Sequence, residues 1–180
     1  MNYAEIKNCD IANVPGVRIS LFVSGCTHRC KGCFNRIAWD FNYGTPFTEE
    51  TVENILKMLQ PDYIAGLTLL GGEPFEPENQ KGLLKLVQLV KQKFPGKSIW
   101  AFSGYLFDRD ILSGRLGDPD VTKAFLQCVD VLVDGPFVEA EKDLMLRFRG
   151  SRNQRLIDGP ASLEQGRVVL WKDWQSDERS

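Results

Sequence analysis

At 180 residues, 43% hydrophobic and 26% charged, the chain has the length and make-up of one globular domain with its own core. A formal net charge of −2 gives no electrostatic case for a nucleic-acid partner, and no apolar run approaches the roughly 20 residues of a membrane span. The opening MNYAEIKNCDIANV has neither a basic n-region nor an apolar h-region, so no secretory signal is expected.

The first expected element is a buried strand, VRISLFVS (17–24), an apolar and β-branched run entered through Pro15-Gly16. The segment SGCTHRCKGCFN follows, with Cys26, Cys30 and Cys33 inside eight positions. TEETVENILKML then reads as a helix, with Thr48 as N-cap, acids in the first turn, and Val52, Ile55, Leu56 and Leu59 at helical spacing. A second strand, AGLTLLGGEP, is stopped by paired glycines and a proline. A helix from about Pro77 to Phe94 places Leu83, Val87, Val90 and Phe94 on one face and ends at Pro95-Gly96. SIWAF and VDVLVD read as third and fourth strands with helical material around Val121 to Cys128, and QRLI and RVVLW are late strand candidates. This alternation implies parallel βαβ units. Five or six units are too few for a closed eight-fold barrel, which leaves a partial barrel or a doubly wound sheet, with the reactive site at the C-terminal strand ends in either case. Both the cysteine loop and the GGEP turn fall there.

Five cysteines, three of them crowded together, suit metal ligation in a reducing cytoplasm better than a disulfide framework. Joint ligation wraps the loop around something compact, because metal–sulfur bonds are only about 2.3 Å long. Gly25 and Gly32 allow the necessary bends. One reading is a structural zinc knuckle completed by His28 or Cys9. The other is a cubane 4Fe–4S cluster on three thiolates, one short of the usual four, with one iron open to an outside ligand. Cys9 and Cys128 have no partner at metal-ligand spacing and are expected to be small buried or half-buried hydrophobes.

The spacing C-x3-C-x2-C resembles the signature of the radical S-adenosylmethionine (SAM) enzymes, and GGEP (71–74) is similar to that superfamily's turn after the second strand. SIWAFSGY (98–105), VDVLVDGPF (129–137), LRFRGSRNQRL (146–156) and the opening DIANVPGVRISLFVSGC (10–26) together resemble the anaerobic ribonucleoside-triphosphate reductase-activating proteins, over about residues 10–158. The resemblance implies an α/β fold: a partial (β/α) barrel of about five to six parallel strands, radical SAM type, in a single domain over 1–180 with its core at 10–158; the tail at 159–180 carries little diagnostic content, and its end is expected to fray. It implies Cys26, Cys30 and Cys33 as ligands of one 4Fe–4S cluster, with SAM chelating the open iron. Gly71, Gly72 and Glu73 would then receive the SAM amino group. Many superfamily members carry an aromatic just before the third cysteine; here Gly32 stands there and Phe34 follows, so the backbone of Gly32, Cys33 and Phe34 is expected to meet the adenine edge. Ser103, with Gly104, is placed for the SAM carboxylate or ribose, and Asp134 either binds a ribose hydroxyl or caps a turn.

The implied reaction begins with an electron from a reductant such as flavodoxin. Reductive cleavage of SAM then gives methionine and a 5′-deoxyadenosyl radical, which takes a hydrogen atom from a glycine of the partner reductase. No catalytic acid–base pair beyond the cluster ligands is expected, and the setting implied is cytoplasmic. The alternatives are a small radical SAM enzyme with another target, such as a pyruvate formate-lyase activase or a small-molecule modifier, and a non-enzymatic zinc module. Arg147, Arg149, Arg152 and Arg155 read by default as a solvated basic face; the family resemblance adds docking of the reductase or pairing of the SAM carboxylate. Trp39, Trp100, Trp171 and Trp174 are expected as core or interface aromatics.

Overall fold

The computed structural model describes residues 1–172; the expected frayed end and Trp174 lie outside the described residues. A seven-stranded open sheet organises the chain. Its strands are β1 (Asn2–Asp10), β2 (Val17–Val23), β3 (Thr45–Pro46), β4 (Ile64–Gly71), β5 (Ser98–Ser103), β6 (Val131–Asp134) and β7 (Arg155–Asp158), in the spatial order β3-β1-β2-β4-β5-β6-β7. The inner block β2-β4-β5-β6 is parallel, whereas β1, β3 and β7 pair antiparallel.

The helices form for local reasons that are visible in the chain. α1 (Glu49–Met58) starts at a reciprocal capping box between Thr48 and Thr51. α2 (Pro77–Lys93), α3 (Pro119–Gln127) and α4 (Gly159–Gln165) each carry proline in the first turn, where the missing N–H costs nothing. Val52 and Ile55 of α1, Leu83, Leu86, Val87 and Val90 of α2, and Phe125 and Leu126 of α3 pack with Ile19, Leu21, Leu67, Leu69, Ile99, Ala101 and Leu132 in the main core. The alternate strand positions Trp100, Val131, Val133 and Leu156 belong to a smaller cluster on the opposite face, covered by Val14, Phe148 and Trp171. The helices therefore cover one face only, which removes the doubly wound alternative and leaves the other face to form a cavity. Among the described residues no helix is long and apolar enough to cross a membrane.

Several expectations need correction. The parallel block has four strands, not five or six. QRLI does form a strand, but β7 runs antiparallel to β6, with Asp134 opposite Arg155 and Val131 opposite Asp158. A parallel return needs a crossover to the other end of the sheet. Between β6 and β7 the chain makes a one-turn helix, Glu139–Glu141, and one bridge, Lys142 to Ser151, and re-enters from the end it left. RVVLW contributes one bridge, Ile157 to Leu170, rather than a strand. The N-terminal segment, whose composition carries no strand signal, is recruited as β1 by pairing with β2. Its register breaks between Lys7 and Asp10, and Cys9 adopts φ +57° within that break. Cys9 is consequently exposed, contrary to expectation, while Cys128 is buried as expected. Trp100 and Trp171 are core aromatics, with ring centroids 4.9 Å apart at 82°.

Candidate functional site

The cysteine loop leaves the C-terminal end of β2 and is tied back by its own return. The Gly25 N–H donates to the Ala38 carbonyl at 2.8 Å and the Cys26 N–H to the Trp39 carbonyl at 3.2 Å. Residues Arg36–Trp39 form a one-turn 3-10 helix that supplies both acceptors. Gly25 has φ +97°, and a Cβ there would run into the Phe41 ring, so only glycine fits this bend. Within the loop, the Cys33 N–H closes a turn on the Cys30 carbonyl at 3.2 Å.

The GGEP turn leaves β4 alongside it. The Gly72 N–H donates to the Val23 carbonyl at 2.7 Å, and the Glu73 N–H to the Gly25 carbonyl at 2.8 Å. The Glu73 side chain is 1% exposed and turned inward. Its Oε1 accepts the Phe75 N–H at 2.9 Å. Its Oε2 accepts the Gly104 N–H at 2.6 Å and lies 2.9 Å from His28 Nε2. Glu76, also buried, accepts from the Thr27 N–H at 2.8 Å and the Thr27 hydroxyl at 2.5 Å. Asn79 of α2 donates to the carbonyls of Ser24 and Glu73, both at 2.9 Å. These contacts fasten the cysteine loop to the turn from several sides.

Above the C-terminal ends of β2, β4, β5 and β6 lies a cavity of about 360 Å³. Cys26, Cys30 and Cys33, all free thiols, line it together with Gly71, Gly72, Glu73, Ser103 and Phe34. Of the residues singled out from the sequence, Gly32 is not on this wall; it sits at φ +76° against Glu139. Phe34 is on the wall but 90% exposed. Ser103 is buried, and its hydroxyl accepts the Tyr105 N–H at 3.1 Å. Among the described residues no three His, Cys, Asp or Glu groups gather at one point as a single ion would require. All three thiols line the same cavity.

Burial pushes the Cys26 thiol up to about 12, with Glu73 and Glu76 adding to the rise and the N–H groups of His28 and Arg29 opposing it. Burial likewise raises Cys30, against an N–H from Phe137. For His28, burial acts downward but is outweighed by the bond to Glu73 and the charges of Glu73 and Glu76, so the imidazole is raised. The site is thus apolar and acid-flanked, a setting in which a bound cation's own charge would dominate.

Other walls came from residues that the sequence did not single out for this role. Ala12 and Asn13 reach the cavity from a turn built on Asp10, whose carboxylate accepts from the Ala12 N–H, Asn13 Nδ2 and Ser20 Oγ. The excursion 135–154 supplies Phe137, Phe148 and Gln154. In it, Asn153 donates to the Pro136 carbonyl at 2.7 Å and Gln154 Nε2 to the Gly135 carbonyl at 3.0 Å. The string RGSRNQR is therefore chiefly a loop-former, and its small polar residues were the available signal. Asp134 is fully buried and accepts from the Phe107 N–H and from Arg155 Nε and Nη2 at 2.8, 2.9 and 2.6 Å, so it takes the capping role. Arg155 also reaches Asp108, which corrects the solvated-face expectation for it, whereas Arg152 pairs with Asp143 at 3.5 Å while staying exposed, as expected. Arg149 lines the cavity, donating to the Gln154 carbonyl at 2.6 Å. Trp39 is a wall residue too, and its indole N–H is buried with no acceptor among the described residues.

Comparison with known proteins identifies the family. A family model described as a 4Fe-4S single cluster domain matches residues 12–157. The chain is 44% identical over 158 residues to a protein of Enterobacteria phage T4, covering 87% of this chain and 93% of that one. It is 43% identical over 159 residues to a protein of Escherichia coli strain K12 and 42% over 157 to one of Vibrio cholerae serotype O1, each match covering 86% of this chain and 96% of the relative. All three relatives are named anaerobic ribonucleoside-triphosphate reductase-activating protein.

Proposed function

The chain belongs to the anaerobic ribonucleoside-triphosphate reductase-activating proteins, within the 4Fe-4S single cluster domain family, and from that premise we propose that it is an iron–sulfur activase that uses SAM to install a glycyl radical on such a reductase. One observation carries the reading. Three free thiols and the Gly71-Gly72-Glu73 turn, one βα unit apart in the chain, line a single cavity at the C-terminal ends of the parallel strands. The open four-strand block serves as a partial barrel of the radical SAM type, in one cytoplasmic domain.

The donor set fits a cubane. Its metals occupy separate corners and each can take one thiolate, so three cysteines lining one cavity without meeting at a single point suit it better than they suit one ion. Cys26, Cys30 and Cys33 would hold it. His28 is engaged by Glu73, and neither Cys9 nor Cys128 lines the cavity, which leaves a corner for a small molecule. When bound, the cluster and SAM supply one-electron cleavage of the sulfonium and hydrogen-atom abstraction from the target glycine.

The chain's own residues bind, orient and shield. The carbonyl groups of the Gly71-Gly72 turn receive an ammonium, and buried Glu73 adds fixed negative charge beside it. Ser103 and Arg149, both on the wall, serve the carboxylate or ribose. The backbone of Cys33 and Phe34 serves the adenine. Leu70, Phe102, Phe137 and Phe148 make the remaining wall largely apolar, which excludes water and competing hydrogen donors. Phe34 on the wall (90% exposed), with Leu144 (88%) and Met145 (89%) next in the chain to the wall residue Leu146, offers the reductase an apolar rim. A flavodoxin-like protein serves as electron donor.

Protein prepared without oxygen should carry about four irons per chain, cleave SAM when reduced, and give a glycyl doublet in electron paramagnetic resonance when mixed with the reductase. A colourless protein holding one zinc and no iron after reconstitution overturns the proposal.

A further inference from the structure

We infer that His28, the only histidine of the chain, is a positioning residue that locks the cluster loop to the SAM-binding turn. The inference rests on the reading that Cys26, Cys30 and Cys33 hold the cluster and that the turn at Gly71 to Pro74 receives SAM. Thr27 and His28 are the first two residues of the spacer between Cys26 and Cys30, and each is fastened to a different buried carboxylate of one turn. His28 Nε2 lies 2.9 Å from Glu73 Oε2, and the Thr27 N–H and hydroxyl donate to Glu76 Oε1 at 2.8 and 2.5 Å. The same Glu73 oxygen accepts the Gly104 N–H at 2.6 Å, so the end of the third parallel strand joins the assembly.

Packing enforces the arrangement. The Tyr105 ring meets His28 edge-on, with centroids 4.3 Å apart, and its hydroxyl lies 3.5 Å from Thr27 Oγ1. Gly104 leaves the space into which the His28 ring fits; a Cβ there would come within 2.6 Å of that ring. Glu73 is 1% exposed. A buried carboxylate needs its donors, and of its three only His28 comes from the loop that carries the cysteines. Leaving that donor out costs Glu73 a partner and frees the spacer, which sets the distance between two cluster ligands and the turn. The cysteines themselves are untouched. His28 therefore governs where SAM meets the cluster, not whether the cluster forms.

The test uses the full chain, reconstituted anaerobically, as wild type, His28→Leu and His28→Gln, with the glutamine retaining an N–H donor. His28→Leu should keep its iron but bind SAM roughly tenfold or more weakly. The change that SAM produces in the resonance spectrum of the reduced wild-type cluster should be lost, and His28→Gln should restore most of both. Thr27→Val, which loosens the second clasp and spares His28, should move SAM affinity the same way by a smaller factor, and serves if His28→Leu does not fold. Wild-type SAM affinity and a wild-type spectral change in His28→Leu overturn the inference, as does loss of iron in His28→Gln, which would make His28 a ligand. Failure of the wild type to take up iron or respond to SAM would instead bring down the activase reading, and this inference with it.

Discussion

Gly72 lies directly under Gly25. The Gly25 carbonyl accepts the Glu73 N–H at 2.8 Å, and a Cβ on Gly72 would come within 2.5 Å of that same oxygen and 3.0 Å of the Ala38 carbonyl. At these two glycines the cysteine loop and the GGEP turn touch, backbone to backbone.

Gly72→Ala is accordingly expected to push the loop and the turn apart, because neither carbonyl is a flexible side-chain end. Overpacking of this kind costs about 1–3 kcal/mol, which should lower the melting temperature of the iron-free protein by about 3–10 °C in a chain of this size. SAM affinity of the reconstituted protein should fall with it. Gly96→Ala, at a turn where an added Cβ meets nothing within 4 Å, is the matched control and should leave both unchanged.

The cysteines should separate cleanly by iron content. Cys30→Ala removes a thiol from the cavity wall and should abolish iron retention and SAM cleavage. Cys9→Ala should keep both, since Cys9 is exposed and does not line the cavity. Cys128→Ala should also keep both while losing about 1 kcal/mol of stability from the emptied core space. Iron assay after anaerobic reconstitution, with methionine release from SAM, checks all three.

What the chain disclosed on inspection, and what it hid, follow from the range of the interactions. The cysteine loop and the GGEP turn were legible because spacing, glycines and strand ends are local, and the fold brings them together as expected. β1 was hidden because only Tyr3 and Ile6 of its nine residues pack on the core, too few to show a period, and the direction of β7 was hidden because nothing in QRLI says from which end the chain arrives. The inward turn of Glu73 was hidden for a third reason: its donors, from His28, Phe75 and Gly104, lie 45, 2 and 31 positions away. A lone histidine inside a cysteine loop, in a chain with two glutamates in GGEPFE, was the trace available.

The exposed rim predicts a division between two kinetic constants. Leu144 and Met145 stand beside Leu146, which reaches into the cavity, but are not themselves on its wall. Replacing both with aspartate should leave SAM cleavage in the absence of reductase near wild type. The reductase concentration giving half-maximal glycyl radical should rise at least tenfold, as loss of apolar anchors at an interface does. Equal loss of both activities would show that the segment shapes the cavity instead.

Arg155 makes the last prediction, and its sign can be worked through. It reaches Asp134, which is fully buried at the end of β6, and the more exposed Asp108, and it closes the base of the excursion that walls the cavity. Arg155→Met strands the Asp134 carboxylate inside the protein, a loss of about 3–5 kcal/mol at neutral pH, measurable by urea unfolding of the iron-free chain. The bond from Arg155 holds the Asp108 carboxyl below its ordinary value. A carboxyl depressed in the fold contributes stability that is fully present above its unfolded value of about 3.9 and fades as the pH falls through the folded one. The share of the gap that comes from Asp108 should therefore stay level from about pH 5 to 8 and fade below about pH 4. A gap that widens on acidification would mean that Arg155 acts through some group other than these carboxylates.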